Sequence, residues 1–171
     1  DYKILDDENF DQDDFISKMI AYNGIAKSAC PSPDAFAKAC EGDYDCVFIM
    51  TITDKLSGCY NSAVQGKDLY EEEHEGDGKK IHVFNSLATS GLETLMAYKI
   101  RSLADNGKSF DEIVEEVEDY CINHARLYFC LESMDALKGN GRLFNLAAKV
   151  IETLRVKLVC KRTEEGNIDM A

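Results

Sequence analysis

Basic charge is what this sequence has least of: 19 Lys and Arg face 32 Asp and Glu, a formal net charge of -13 over 171 residues. No cluster of basic residues offsets that balance, so a nucleic-acid partner and an anionic membrane surface are not expected. Long apolar runs are absent too. None approaches the ~20 residues needed to cross a bilayer, and the opening DYKILDDENF lacks the basic and apolar regions of a signal peptide. The expectation is a cytoplasmic protein with no integral membrane segment. The seven cysteines, at 30, 40, 46, 59, 121, 130 and 160, show no CxxC pairing, and His74, His82 and His124 are scattered. Reduced, mostly buried thiols are expected, with neither a disulfide framework nor a metal site. GxSxG, GxGxxG and GxxxxGK[ST] are all missing, as are internal repeats and any obvious linker. No cofactor is expected.

What is present is enough apolar material, 45% of residues, for a well-buried core. The chain is organised around Ile49 to Ala63, reading IMTITDKLSGCYNSA. Val47 to Ile52 is continuous in apolar and β-branched residues, the pattern of a strand covered on both faces. Thr53, Asp54 and Lys55 break the run, and Leu56, Ser57 and Gly58 lead into a predicted helix, NSAVQGKDLYEEE. The first-turn N–H groups of a helix lack intrahelical acceptors and lie at the positive end of its dipole, so a carboxylate or phosphate is favoured there. Gly58 lets a ligand approach the backbone. The Ser57 hydroxyl could cap the helix or donate to that ligand, and the residues alone leave both roles open.

The remaining elements alternate. Tyr2 to Leu5 reads as a short strand or the end of a loop. Asp11 to Asn23 is a predicted amphipathic helix presenting Phe15, Ile16, Met19 and Ile20, ended by Gly24. In IAKSACPSPDAFAKACEGDYD, Ser32 and Pro33 start a helix over Asp34 to Glu41 with Phe36 and Cys40 facing inward, while Ser28 lies in a loop that is either connection or ligand contact. Ile81 to Phe84 is a second buried strand, followed by Asn85, Ser86 and other small residues, then a helix over Leu92 to Ala104 with an apolar stripe at 92, 95, 96, 100 and 103. Two strands that each end in small polar residues before a helix suggest parallel strands whose carboxyl ends line one crevice, the usual ligand site of open α/β sheets. Ser109 and Glu112 form a capping box for the next helix, which buries Ile113, Val114, Val117 and Cys121. RLYFCL (126 to 131) is a third strand candidate. Glu132 to Arg142 begins as a helix and breaks at Gly139 and Gly141, Leu143 to Leu154 is helical, and Val156 to Cys160 reads as the first half of an unpaired hairpin. The fold class is α/β, a three-layer sandwich with a mostly parallel sheet.

Taken together, SACPSPDAF, TDKLSGCYNSA, IHVFNSLATSG and LKGNGRL resemble, in order and spacing, the landmarks of the DegV family of bacterial fatty-acid-binding proteins. The resemblance implies a sandwich domain over 1–135 lacking the family's opening strand, and over 136–171 the truncated beginning of a second, mixed α/β domain that covers the lipid. It implies a long-chain fatty acid as ligand and a separate ATP-binding fatty acid kinase subunit as partner, the protein itself being a non-catalytic subunit that presents the carboxylate for conversion to acyl phosphate. By the same motifs Ser28, Ser57, Gly58, Cys59, Asn85 and Ser86 hold the carboxylate, and Arg142 steadies a carboxylate or phosphoryl group. Several positions depart from the family patterns: Ala29, Cys30, Thr53, Asp54, Cys59, Asn85 and Asn140. An acidic Asp54 would repel a carboxylate unless it pairs with Lys55. The alternatives are a small serine hydrolase with Ser57 as nucleophile, or a carrier of a phosphate ligand on the same loop. A hydrolase needs a base within reach of the serine, and none of the three histidines follows a strand as a triad histidine would.

Overall fold

The computed structural model describes residues 3–5, 7–131, 133, 135–142 and 159–171. Its chain groups into two compact units, one of Asp1–Ser28 with Glu132–Leu154 and one of Ala29–Leu131 with Arg155–Ala171.

The larger unit is the sandwich. Strands β1 (Cys46–Thr51) and β2 (Lys80–Asn85) pair in parallel, Val47 opposite Ile81 and Met50 opposite Phe84. Parallel neighbours need a crossover, and helix α3 (Cys59–Glu73) supplies it. Because side chains alternate across a strand, β1 feeds two cores. Val47 and Ile49 pack with Cys40, Tyr70 and Ile81 against α3 and the short helix α2 (Pro33–Ala39). Phe48 and Met50 pack on the opposite face with Phe84, Leu92, Met96, Leu103, Ile113 and Val117, which come from β2, α4 (Gly91–Asp105) and α5 (Phe110–Asp119). Three layers result, as the continuous apolar runs predict.

The ends of the elements follow local chemistry. The Ser32 hydroxyl accepts from the Ala35 N–H at 3.3 Å with Pro33 opening α2. In α5 both halves of the Ser109–Glu112 capping box form, and the Ser109 N–H and hydroxyl together with the Lys108 ammonium hold the Glu112 carboxyl down to about 2. On α4, Leu92, Met96 and Leu103 are buried while Leu95, also in the predicted stripe, is half exposed. A single π-helical turn, Tyr120–His124, continues α5 and carries Cys121 inward.

RLYFCL does contain a strand, β3 (Tyr128–Cys130), but it does not extend the parallel pair among the described residues. It pairs antiparallel with β4 (Val159–Arg162), which pairs antiparallel with β5 (Ile168–Met170). The hairpin expected to stand unpaired is therefore closed within the chain, turning through Thr163 to Gly166. This pairing explains why residues 155–171 group with the sandwich. The Thr53 hydroxyl donates to the Gly166 carbonyl at 2.9 Å, and a Cβ at Gly166 would lie 2.4 Å from Thr53 Oγ1 and 3.1 Å from Leu87 Cα. The hairpin turn thus rests on the loops that leave β1 and β2.

The smaller unit holds α1 (Gln12–Ala21) and α6 (Asp135–Gly139). Asp11 caps α1 by accepting from the Asp14 N–H, and the Phe10 and Phe15 rings meet at 5.4 Å as a hydrophobic staple. The helix ends at Tyr22, two residues ahead of Gly24. Of its predicted apolar face, Phe15 is half-buried, while Ile16, Met19 and Ile20 are 43%, 39% and 81% exposed. Asn140 donates to the Ala26 carbonyl at 3.0 Å and Gly139 lies against Ile25, so the glycine-rich break is packed on the segment after α1. Residues 3–5 form no strand. The predicted helix over Leu143 to Leu154 lies outside the described residues.

Candidate functional site

Two loops leave the carboxyl ends of the parallel strands side by side. The Thr53 N–H donates to the Ala88 carbonyl at 2.8 Å, and the Asp54 N–H donates to Asn85 Oδ1 at 3.4 Å. Asn85 Nδ2 returns a bond to Asp54 Oδ1 at 2.9 Å, while Lys55 Nζ lies 2.7 Å from Asp54 Oδ2. Lys55 first and Asn85 second hold the Asp54 carboxyl below the usual carboxylate range. The Asp54 carboxylate is therefore paired on both oxygens.

Thr53, 1% exposed, is the hub of the first loop. Its carbonyl accepts from the N–H groups of Leu56 and Ser57 at 3.1 and 3.3 Å, and its hydroxyl accepts from the Lys55 N–H at 3.3 Å. These bonds turn the chain so that α3 opens at Cys59 with Gly58 as its N-cap. Ser57 stands one residue before the cap. Its hydroxyl accepts from the Cys59 N–H at 3.2 Å and donates to Cys59 Sγ, also 3.2 Å away. Sulfur is a weak acceptor, so that proton can be turned to a better one. The next N–H groups, of Tyr60 and Asn61, lie in the first turn, where no intrahelical carbonyl reaches them. Ser62 ends the unpaired set, donating its N–H to Gly58. Half-buried Ser57 and exposed Gly58 thus form a turn that leads into a helix of 15 residues opening at half-buried Cys59, a kind of turn that favours anions.

The second loop is more self-contained. Asn85 Oδ1 also accepts from the Leu87 N–H at 3.2 Å. Ser86 is fully buried: its hydroxyl accepts from the Ala88 N–H at 3.2 Å, with the Ala88 carbonyl at 3.2 Å and Glu93 Oε1 at 3.5 Å as acceptors for its proton. Its carbonyl accepts from the Cys121 thiol at 2.9 Å. Leu87 and Ser90 take φ of 51° and 61°, the left-handed region that non-glycine residues seldom occupy. Ser86 as placed holds this loop, whereas Ser57 carries the hydroxyl with the weakest present partner. Among the sequence-predicted residues, Ser57, Gly58, Cys59, Asn85 and Ser86 are brought to neighbouring loops of the sandwich. Ser28, exposed, and Arg142, half-buried, belong to the other unit.

Sequence reasoning missed Glu93. It sits in the first turn of α4, where an acid is so common that it carries no site signal. Burial pushes its carboxyl up, against the opposing Ser86 hydroxyl and Ser90 backbone. A carboxyl raised on folding holds its proton more tightly in the native state, so the stability tied to it is present at low pH and lost as pH rises from the ordinary glutamate range through its native value. Carbon-detected NMR should find Glu93 titrating above the other α4 and α5 glutamates. Melting temperatures of Glu93→Gln and the parent should coincide in acid and diverge in favour of Gln toward neutrality; a Glu93 midpoint at or below the ordinary range would refute the burial.

Among the described residues no group of three His, Cys, Asp or Glu could hold a metal, and no helix is long and apolar enough to cross a membrane. The fold defines an α/β protein in which the loops at the carboxyl ends of two parallel strands lie side by side. A family model described as an uncharacterised protein of the DegV family matches residues 1–171, and the chain belongs to that family. A DegV domain-containing protein of Streptococcus pneumoniae is 39% identical over 170 residues, which cover 99% of this chain and 59% of that protein. The fatty acid kinase (Fak) B3 protein of S. pneumoniae, solved loaded with linoleic acid, superposes with a TM-score of 0.89 at 39% identity over 98% of this chain and 58% of its own. A DegV family protein from Ruminococcus gnavus, refined with vaccenic acid, gives 0.88 at 37% identity over 99% and 61%. The chain spans about three-fifths of the length of these relatives.

Proposed function

We propose that this protein binds a long-chain fatty acid, with the carboxylate at the Ser57–Gly58–Cys59 turn, and presents it to a separate ATP-binding kinase subunit for conversion to acyl phosphate. The observation that carries the reading is the Ser57 turn itself: a hydroxyl on a weak sulfur acceptor, beside first-turn N–H groups, ahead of a long helix. Such a turn favours a carboxylate by charge and by donor direction. The fatty acids named for Fak B3 and for the R. gnavus protein support the ligand class, and likeness to Fak B3 supports the kinase partner. Asn85 and Ser86 shape the neighbouring loop and keep Asp54 engaged. Ser28 and Arg142 enter through their motif positions alone. In this reading the chain supplies no nucleophile or general base, and acyl transfer chemistry belongs to the partner.

The test is lipid extraction and mass spectrometry of the purified protein, followed by titration with oleate below its micelle concentration. Copurified acyl lipid and saturable oleate binding are expected; neither appearing would overturn the proposal. Ser57→Ala should remove one donor to a charged group, costing about 1.5 to 3 kcal/mol, or roughly 10- to 150-fold in affinity. Unchanged affinity would leave Ser57 as a brace for the start of α3.

A further inference from the structure

We propose that the groove between β2 and α5 docks a basic, amphipathic segment of a partner protein. The groove encloses about 490 Å³ and is lined by His82 of β2 and by residues of α5 and the π-helical turn. Those residues fall into two adjacent rows at helical spacing. Phe110, Val114, Glu118 and Ile122 follow one another at steps of four, and Asp111, Glu115 and Asp119 run beside them. Four residues of α-helix advance about 6 Å, so Phe110 and Val114 lie alongside carboxylates repeated at that interval, and Ile122 follows past Glu118 in the π-helical turn. The floor is firm at one end, where the Phe110 ring stacks on Phe48 at 4.9 Å, and open at the other, where Ile122 is 49% exposed.

The charge of the groove is poorly offset from within. Lys80 reaches Asp111 at 3.1 Å, but both side chains are more than half exposed and the pair is correspondingly weak. His124 lies 3.0 Å from Asp119. His82 Nε2 is buried and 3.3 Å from Glu118 Oε1 without hydrogen-bond alignment. Burial pushes the imidazole down, opposed by Glu118, so it contributes little positive charge at neutral pH. Glu115 has no ion-pair partner among the described residues. Four carboxylates therefore flank an apolar strip, with Lys80 paired to Asp111, Lys99 acting on Asp119 and Lys67 acting on His82.

Charge and shape together select the occupant. Nucleic acid and anionic lipid headgroups are repelled. A second copy of this chain, at -13, is repelled as well. What complements the groove is a helix or strand with an apolar row for Val114 and Ile122 and lysines or arginines for Glu115, Glu118 and Asp119. Such complementarity acts chiefly by steering encounter and fixing register.

The probe is a synthetic amphipathic leucine–lysine peptide of about four helical turns, with a scrambled peptide of equal composition and a version with Glu for Lys as controls. Titration into ¹⁵N-labelled protein should shift His82, Val114, Glu115 and Ile122. Glu115→Lys with Glu118→Lys should weaken binding by about tenfold or more, and Ile122→Ser should weaken it without altering net charge. Glu72→Lys with Glu73→Lys, which places the same charge change on the far end of α3, should leave affinity within about twofold. Equal weakening by both double variants, equal binding of the scrambled peptide, or shifts centred elsewhere would each overturn the proposal, since any of them marks attraction to the whole acidic surface.

Discussion

Gly66→Leu is expected to lower stability by about 3 kcal/mol or more, among the largest effects of any single change in the sandwich. Helices α2 and α3 touch through this residue. A Cβ at Gly66 would lie 2.5 Å from Phe36 Cβ, 2.6 Å from the Pro33 carbonyl and 3.1 Å from the Ala37 N–H. Two of those three atoms are backbone, so a rotamer change cannot relieve the clash. Next to it the buried Ser62 hydroxyl donates to the Pro31 carbonyl at 2.6 Å. Ser62 and Gly66 occupy the same face of α3 at a spacing of four, and together they fix the Cys30 to Pro33 segment against the helix that begins at Cys59. Cys30 Sγ lies 3.5 Å from where a Cβ at Gly58 would stand, so the same contact sets one wall beside the anion turn. Gly66→Ala is the finer measurement. In an exposed helix that change stabilises by about 1 kcal/mol, whereas here overpacking should win and the net sign should be destabilising by about 1 to 2 kcal/mol. Denaturant midpoints decide it: a raised midpoint for Gly66→Ala would mean that α2 yields without cost, and that it does not brace the Ser57 turn.

The local part of this architecture was legible in the sequence. Ser32 with Pro33 and Ser109 with Glu112 start helices where their side chains can satisfy first-turn N–H groups, and each signal lies within four residues. The runs around Ile49 and Val83 read as doubly covered strands because both faces are apolar, and both faces are indeed packed. Pairing partners were harder. RLYFCL has the composition of a strand but nothing in six residues specifies its neighbour, and its antiparallel mate lies some thirty residues on. The α1 stripe gave a face without saying what covers it. At the site, the Ser57 turn could be read because strand, small residues and helix are consecutive. The engagement of Asp54 by Asn85 could not, since it depends on the register that places Thr51 opposite Asn85. Glu93, Gly166 and the bracing role of Thr53 were invisible for the same reason: each matters through a contact made by the fold.

Arg162→Met is expected to cost about 1 to 3 kcal/mol, which at about 2 to 4 °C per kcal/mol for a chain of this size is a fall of roughly 2 to 12 °C in melting temperature. Arg162 is 8% exposed and meets no carboxylate among the described residues. Its guanidinium instead donates to the Cys121 carbonyl and, at 3.0 Å, to the Ala125 carbonyl, with Cys121 Sγ 3.8 Å from Nη1. These acceptors end the π-helical turn, where carbonyls lack intrahelical donors and the helix dipole is negative, so a cation is favoured there. Met would fill much of the volume but leave the buried Cys121 carbonyl without this donor, the costly half of a broken hydrogen bond, while the Ala125 carbonyl would keep only Arg126 Nη1 at 2.8 Å. Arg162→Lys should recover only part of the loss, because one compact ammonium cannot reproduce the planar fork that reaches both carbonyls. The effect should extend to the site. The Cys121 thiol that faces Arg162 donates to the Ser86 carbonyl at 2.9 Å, tying the end of the turn to the loop after β2. Amide exchange at Leu87 and Ala88 should therefore accelerate in Arg162→Met under conditions where the variant is still folded, while exchange in α2, on the opposite face of the sheet, changes only by the global loss. If Arg162→Met melts with the parent, as some buried ion pairs do when replaced by apolar residues, the guanidinium is dispensable and the loop after β2 is held by its own backbone. If stability falls but the amides of Leu87 and Ala88 do not respond, Arg162 braces the hairpin alone and the connection through Cys121 carries nothing to the site.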